Sequence, residues 1–294
     1  MAKLMKPLKV AASTAPREVK TLAEYIRRVE ARKPDSKVVN FYRGHGSTGH
    51  VLQPSLFRNL KNRQHEKNIL RELVSIHPSE FATDRGVFEQ IVRMQHFSLP
   101  TRLLDVSSNP LVALYFCCVN CPDEAGEVVR IIATAESTKY YDSDTVSCVA
   151  NLANLSGSER GELRGCRSDA DVKHSDAGKR LLQFIKSEKP YFLPEIRKAD
   201  LKSPLLVKPR LSNRRLLAQQ GAFLLFGLDT KLPDDNRFEL KISRTVVPAE
   251  AKRKISESLD KIGINESTMF PEIESAARYI MSKVTPAVDE EVGA

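Results

Sequence analysis

The stretch from Leu99 to Val119 is the part of this chain that admits the fewest folds. Pro100 disfavours helix for Leu99, so a helix ending at Gln95-His96 must give way to extended chain. Thr101 to Asp105 predicts a short strand, with Thr101, Leu103 and Asp105 on one face and Arg102 and Leu104 on the other. Asn109 suits an N-cap and Pro110 the first helical position, so a helix follows at once. From Leu111 to Val119 that helix is apolar all round, which a soluble protein tolerates only in its core. A polar strand end is thereby tied to a buried helix.

The flanks read as alternating helices and strands. Val19, Leu22, Ile26 and Val29 make one stripe of a helix over 18–32, and Lys37 to Tyr42 predicts a strand. Arg43 falls where that strand runs into a glycine-rich turn, Gly44 to Gly49, whose glycines let backbone approach a ligand closely. Helices are expected over 65–76, 85–95 and 143–155, and strands over 127–135 and 205–208. Ser156 to Lys179 has almost no large apolar side chain and is expected as a partly helical surface excursion within the one domain. Gln219-Gln220 lead through Gly221 into an apolar strand, Ala222 to Leu228. A strand over 238–247 and helices over 249–262 and 271–283 complete the reading. The whole predicts a single α+β domain over 18–285, with a split, mainly antiparallel sheet and peripheral helices. A disordered lead-in over 1–17 and a frayed tail over 286–294 flank it.

Composition narrows the setting. No apolar run approaches the ~20 residues that span a bilayer, and residues 1–20 lack the apolar segment of a secretory signal. Five unevenly placed cysteines in a chain of 294 residues suit a reducing cytoplasm. Cys118 and Cys121 have no second Cys or His pair at matching spacing, so no metal site is expected. The net charge of +9 favours anionic neighbours, and the lysines and arginines over 198–215 suit phosphate or acidic surfaces.

Tyr42-Arg43-Gly44, Gln95-His96-Phe97, Pro100-Thr101-Arg102-Leu103-Leu104-Asp105, Ala113-Leu114-Tyr115-Phe116, Gln219-Gln220-Gly221-Ala222-Phe223, Gly263-Ile264-Asn265 and Met269-Phe270-Pro271-Glu272 occur in that order. Together they resemble the successive motifs of the FRG-domain family over roughly residues 20 to 285. The chain has Ser98 where the family often has Gly, and Val106 where it often has Trp.

The resemblance implies an ADP-ribosyltransferase-like scheme: an early-strand arginine, a Thr or Ser strand before an alanine-containing helix, and a polar residue near a late strand. NAD would be the substrate, in a cytoplasmic toxin or phage-defence (antiviral) setting. Arg43 would hold the pyrophosphate and Thr101 the nicotinamide ribose, with Gln220 or Asp105 steadying the positive charge that forms at the sugar. Gly44, His96, Arg102 and Gln219 complete the expected binding set. Arg102 and Asp105 sit on opposite strand faces, and a salt bridge from Asp105 to Arg43 or Arg102 is the plain structural alternative. The chain has no Gly-x-Ser-x-Gly, His-Glu-x-x-His or strand-linked Gly-x-Gly-x-x-Gly. The 198–215 face would guide such an enzyme to nucleic acid or a protein acceptor, and the competing expectation is a non-catalytic module that holds a nucleotide, a nucleic acid or a phosphorylated partner in the same pocket.

Overall fold

In a computed structural model that describes residues 17–32, 35–210, 213–232 and 240–284, eight strands form one sheet. They are β1 (Arg17–Glu18), β2 (Val38–His45), β3 (Leu103–Ser107), β4 (Gly126–Thr134), β5 (Lys139–Tyr140), β6 (Leu205–Lys208), β7 (Gly221–Leu225) and β8 (Lys241–Val247). Their order is β1-β8-β4-β2-β3-β7-β6-β5, antiparallel except at the two edges, where β1 joins β8 and β5 joins β6 in parallel. The expected split is thus corrected to one continuous sheet with a narrow seam. Eight residue pairs register β2 against β4, whereas β2 meets β3 at a single pair, Tyr42 with Ser107.

Helices cover one face of the sheet in two groups, one on each side of that seam. The helices Leu22–Glu30, Pro110–Val119 and Ala249–Lys261 pack against Tyr42, Val128 and Val247. The helices Val87–His96, Asp144–Ala150 and Asp176–Glu188 pack against Leu103, Val207 and Phe223. Alternation sends Phe41, Leu104, Ile131 and Leu224 to the opposite face, where Leu52, Leu232 and Leu240 cover them. Gly44 lies on the helical side, where a Cβ would fall 1.9 Å from the Ala113 carbonyl oxygen. Only glycine lets β2 and the apolar helix come this close.

Three expectations are corrected here. The strand does not stop at Tyr42 but runs to His45, so Arg43 and Gly44 are strand residues. The first helix starts at Leu22, capped by the Thr21 hydroxyl, and Arg17–Glu18 form an edge strand instead. The stretch 156–179 is largely helical and reaches the core through Leu163 and Val172, both fully buried. Its polar composition masked the inward positions Arg160, Leu163, Val172 and Ala177. Of the expected lead-in only Arg17 lies among the described residues, and the tail 286–294 and the start of the 238–247 strand lie outside them.

A long-range cap fixes the helix that carries Gln95 and His96. Gly86 offers no capping side chain, and the Val87 amide donates to Glu188 Oε2 at 2.9 Å. Burial raises the pKa of this carboxyl above its ordinary value, against the hydrogen bonds that hold it.

Candidate functional site

The seam between β2 and β3 exposes Asp105, and three residues decide where its carboxylate points. Gln95 Nε2 donates to Asp105 Oδ2 at 2.7 Å, and the Thr101 hydroxyl donates to Gln95 Oε1. The Leu103 amide in turn donates to Thr101 Oγ1 at 3.1 Å. The hydroxyl proton therefore fixes which end of the Gln95 amide is oxygen, and so which end meets the carboxylate. The local backbone supports this order. The Val87–His96 helix ends at Ser98, whose φ of 62° is the left-handed region that glycine adopts most easily.

Arg43 comes to the seam from the other face of the sheet. Its Nη1 donates to the Asp105 main-chain oxygen at 2.7 Å, and its Nε donates to His45 Nε2 at 3.3 Å. Because His45 Nε2 accepts, the proton sits on Nδ1, which faces Glu127 Oε1 at 3.2 Å. Glu127 also receives Arg244. Burial lowers the His45 pKa, an effect Glu127 opposes and Arg43 reinforces, which keeps the ring neutral near pH 7. Burial likewise lowers the Arg43 pKa, with Asp105 opposing and Arg58 adding to the shift. Arg43 Nη2 has no protein partner among the described residues.

A cavity of about 160 Å³ opens at this seam, lined by Arg43, Gly44, Asp105, Ala113, Arg215 and Gln219. A smaller hollow of about 30 Å³ continues past Asp105 to Gln95 and His96, again with Arg215 and Gln219. It leads to an open depression of about 480 Å³ bordered by His96, Arg214, Arg215 and Glu272. The 269–272 segment holds the far wall. Gln219 Nε2 donates to the Met269 carbonyl at 3.0 Å, and the Arg215 guanidinium lies 4.9 Å from the centre of the Phe270 ring. His96 Nε2 stands 3.5 Å from Glu272 Oε1, and Glu272 Oε2 is buried without a partner.

The expected residues divide into those that reach the cleft and those that do not. Arg43, Gly44, Asp105 and Gln219 line it, and His96 stands at its mouth. Thr101 is only 2 % exposed and is corrected from a ribose-contacting hydroxyl to a group that positions Asp105 through Gln95. Arg102 is fully buried and corrected to a core residue. It grips both oxygens of Glu66 at 2.7 Å and donates to the Phe226 carbonyl at 2.8 Å, while Arg160 approaches the same carboxylate at 3.2 Å. The alternative Asp105 salt bridges are likewise not formed: Arg102 pairs with Glu66, and Arg43 binds the Asp105 main chain. Gln220 is exposed with φ of 45° and forms the turn into β7, where its carbonyl receives the Ser108 amide at 3.0 Å. Its neighbour Gln219 is the glutamine of the cleft.

Sequence reasoning missed Gln95, His45, Glu127, Arg215 and Glu272 as parts of this site. Arg215 and Gln219 are four apart at the end of one helix, a spacing that places them on one side. His45 follows Arg43 by two in a strand, which puts both on one face. Gln95 and Glu272 stand within the Gln95-His96-Phe97 and Met269-Phe270-Pro271-Glu272 motifs, where neither residue type by itself signals a role.

Among the described residues no group of three or more His, Cys, Asp or Glu side chains is placed to hold a metal ion, and no helix is long and apolar enough to cross a membrane. A family model for the FRG domain matches residues 39–125. No curated protein and no solved structure matches the chain.

Proposed function

Because this chain contains an FRG domain whose span holds Arg43, Gln95 and Asp105, we propose that the cleft binds NAD as substrate and cleaves the bond from its ribose to nicotinamide. One observation carries this reading: the exposed carboxylate of Asp105, oriented by the Gln95 amide, stands between the cations Arg43 and Arg215 in the inner cleft, with Glu272 at the outer mouth. Two cations suit the pyrophosphate, through the unpartnered Arg43 Nη2 and the Arg215 fork. A fixed carboxylate suits the sugar, where positive charge develops as the bond breaks.

In this reaction the electron pair of the breaking bond leaves with nicotinamide, which becomes neutral. The ribose carbon, left cationic, is taken by water or by a nucleophile of an acceptor, which loses its proton. Asp105 stabilises the cation, and Gln219, whose Nε2 is held by the Met269 carbonyl, offers its amide oxygen to a ribose hydroxyl. The Thr101–Gln95 relay keeps Asp105 from swinging towards either arginine. The basic surface over 198–215 would guide an anionic acceptor to the mouth.

The test is nicotinamide release from NAD by the full chain and by Asp105→Asn. Asp105→Asn should lower turnover by about 10²–10³-fold, the usual loss for one electrostatic stabiliser. Saturable binding of NAD by the wild-type chain with no turnover would replace this reading with that of a non-catalytic nucleotide-binding module.

A further inference from the structure

A second concentration of cations lies on the other side of Tyr42 and serves no role in the cleft. Arg130 stands on β4 directly opposite Tyr42 of β2. Arg32 donates from Nη1 to the Tyr42 hydroxyl at 2.9 Å, with its guanidinium 5.7 Å from the ring centre. Arg28 donates to the Arg17 carbonyl at 3.2 Å. No ion pair among the described residues includes Arg17, Arg28, Arg32 or Arg130. The sixteen residues before Arg17 contain three lysines and no carboxylate.

Arg130 is the telling member. Its Nε is buried and has no partner among the described residues, whereas nearly all buried donors in folded proteins are satisfied. Burial and then the neighbouring Arg32 and Arg28 charges lower its pKa. Arg28 is lowered in the same way by burial, Arg17 and Arg32. These arginines are partly desolvated and repel one another, and the described residues place no carboxylate on them.

We propose that Arg28, Arg32 and Arg130 form a phosphate-binding site, distinct from the Asp105 cleft, that takes the phosphate groups of an oligophosphate or of a polynucleotide backbone. Arginine forks match phosphate oxygens bidentately, and a bound phosphate supplies the acceptors and the negative charge that the fold leaves out.

The experiment follows thermal unfolding of the full chain with inorganic pyrophosphate, against potassium chloride at equal ionic strength. Wild type should gain about 5 °C at a hundred times Kd. Arg130→Met keeps an apolar stem. It should lose the gain while its free form unfolds at or above the wild-type temperature, since mutual repulsion is relieved. Arg28→Met, nearer the surface, should weaken binding by about tenfold. The same comparison in an Arg43→Ala background, where the cleft's own pyrophosphate contact is gone, should still show a gain that Arg130→Met abolishes, so that a failure of the cleft reading leaves this one standing. A short single-stranded oligonucleotide serves as the second arm. Tighter binding than pyrophosphate, with a salt slope reduced in Arg130→Met, identifies backbone phosphate as the source. Tighter pyrophosphate binding identifies free oligophosphate. An undiminished gain in both Arg130→Met and Arg28→Met, or no gain in wild type, overturns the proposal.

Discussion

Replacing Thr101 by Val removes one oxygen from a position that is 2 % exposed and leaves shape nearly unchanged. Two hydrogen bonds go with it. Losing the bond from Thr101 to Gln95 costs about 0.5–1.5 kcal/mol, and leaving the buried Leu103 amide without its acceptor at 3.1 Å costs about 1–3 kcal/mol. The sum, roughly 2–4 kcal/mol, corresponds to a fall in Tm of about 3–7 °C for a chain of this size. Thr101→Ser keeps the hydroxyl and loses one methyl group, at a cost of about 1 kcal/mol. Urea unfolding resolves the two variants: the midpoint should fall much further for Val than for Ser, with unchanged slopes. Freed from Thr101, the Gln95 amide can present oxygen to Asp105, so nicotinamide release should fall by about tenfold or more in Thr101→Val and little in Thr101→Ser. Equal midpoints for the two variants would refute the relay.

Other perturbations probe the frame around the site. Glu66→Gln leaves the buried Arg102 and Arg160 without their counter-charge and should cost about 3–5 kcal/mol in urea unfolding. Gly44→Ala places a Cβ 1.9 Å from the Ala113 carbonyl oxygen and should destabilise by about 1–3 kcal/mol or more, with a matching loss of ligand binding at the seam. Burial holds the His45 pKa below its unfolded value, so on acidification the unfolded chain takes up that proton first. Stability should therefore decline as pH falls below about 6.5 towards the lower folded value, and His45→Asn should flatten that part of the profile.

Much of the frame was legible from local rules. Asn109 and Pro110 set the helix start where the chain makes it, with the Asn109 side chain accepting from the Leu111 amide, whereas the strand expected over Thr101–Asp105 runs two residues later, Leu103–Ser107. The opposite facing of Arg102 and Asp105 also followed from strand alternation. What failed was information held by partners distant in sequence. Glu66 claims Arg102 from 36 residues away, and nothing near Arg102 announces it. Thr101 and Gln95 form a relay only because a turn at Ser98 folds the strand start back on the helix end. Which of Gln219 and Gln220 faces the cleft depends on the left-handed backbone at Gln220, a conformation its side chain does not advertise. Three core side chains, Leu163, Val172 and Ala177, anchor a segment whose average composition is polar.

The central claim is that the β2–β3 seam grips a nucleotide through Arg43 and acts on its sugar through Asp105. The most direct measurement is the steady-state kinetics of nicotinamide release from NAD for wild type, Arg43→Ala and Asp105→Asn. Arg43→Ala should raise KM by about 10–100-fold with a smaller change in kcat, because its contact is made before and during reaction alike. Asp105→Asn should lower kcat with KM nearly unchanged, because its charge matters once the bond has begun to break. Wild-type constants in both variants, or no release above the uncatalysed rate from any of the three, would contradict it.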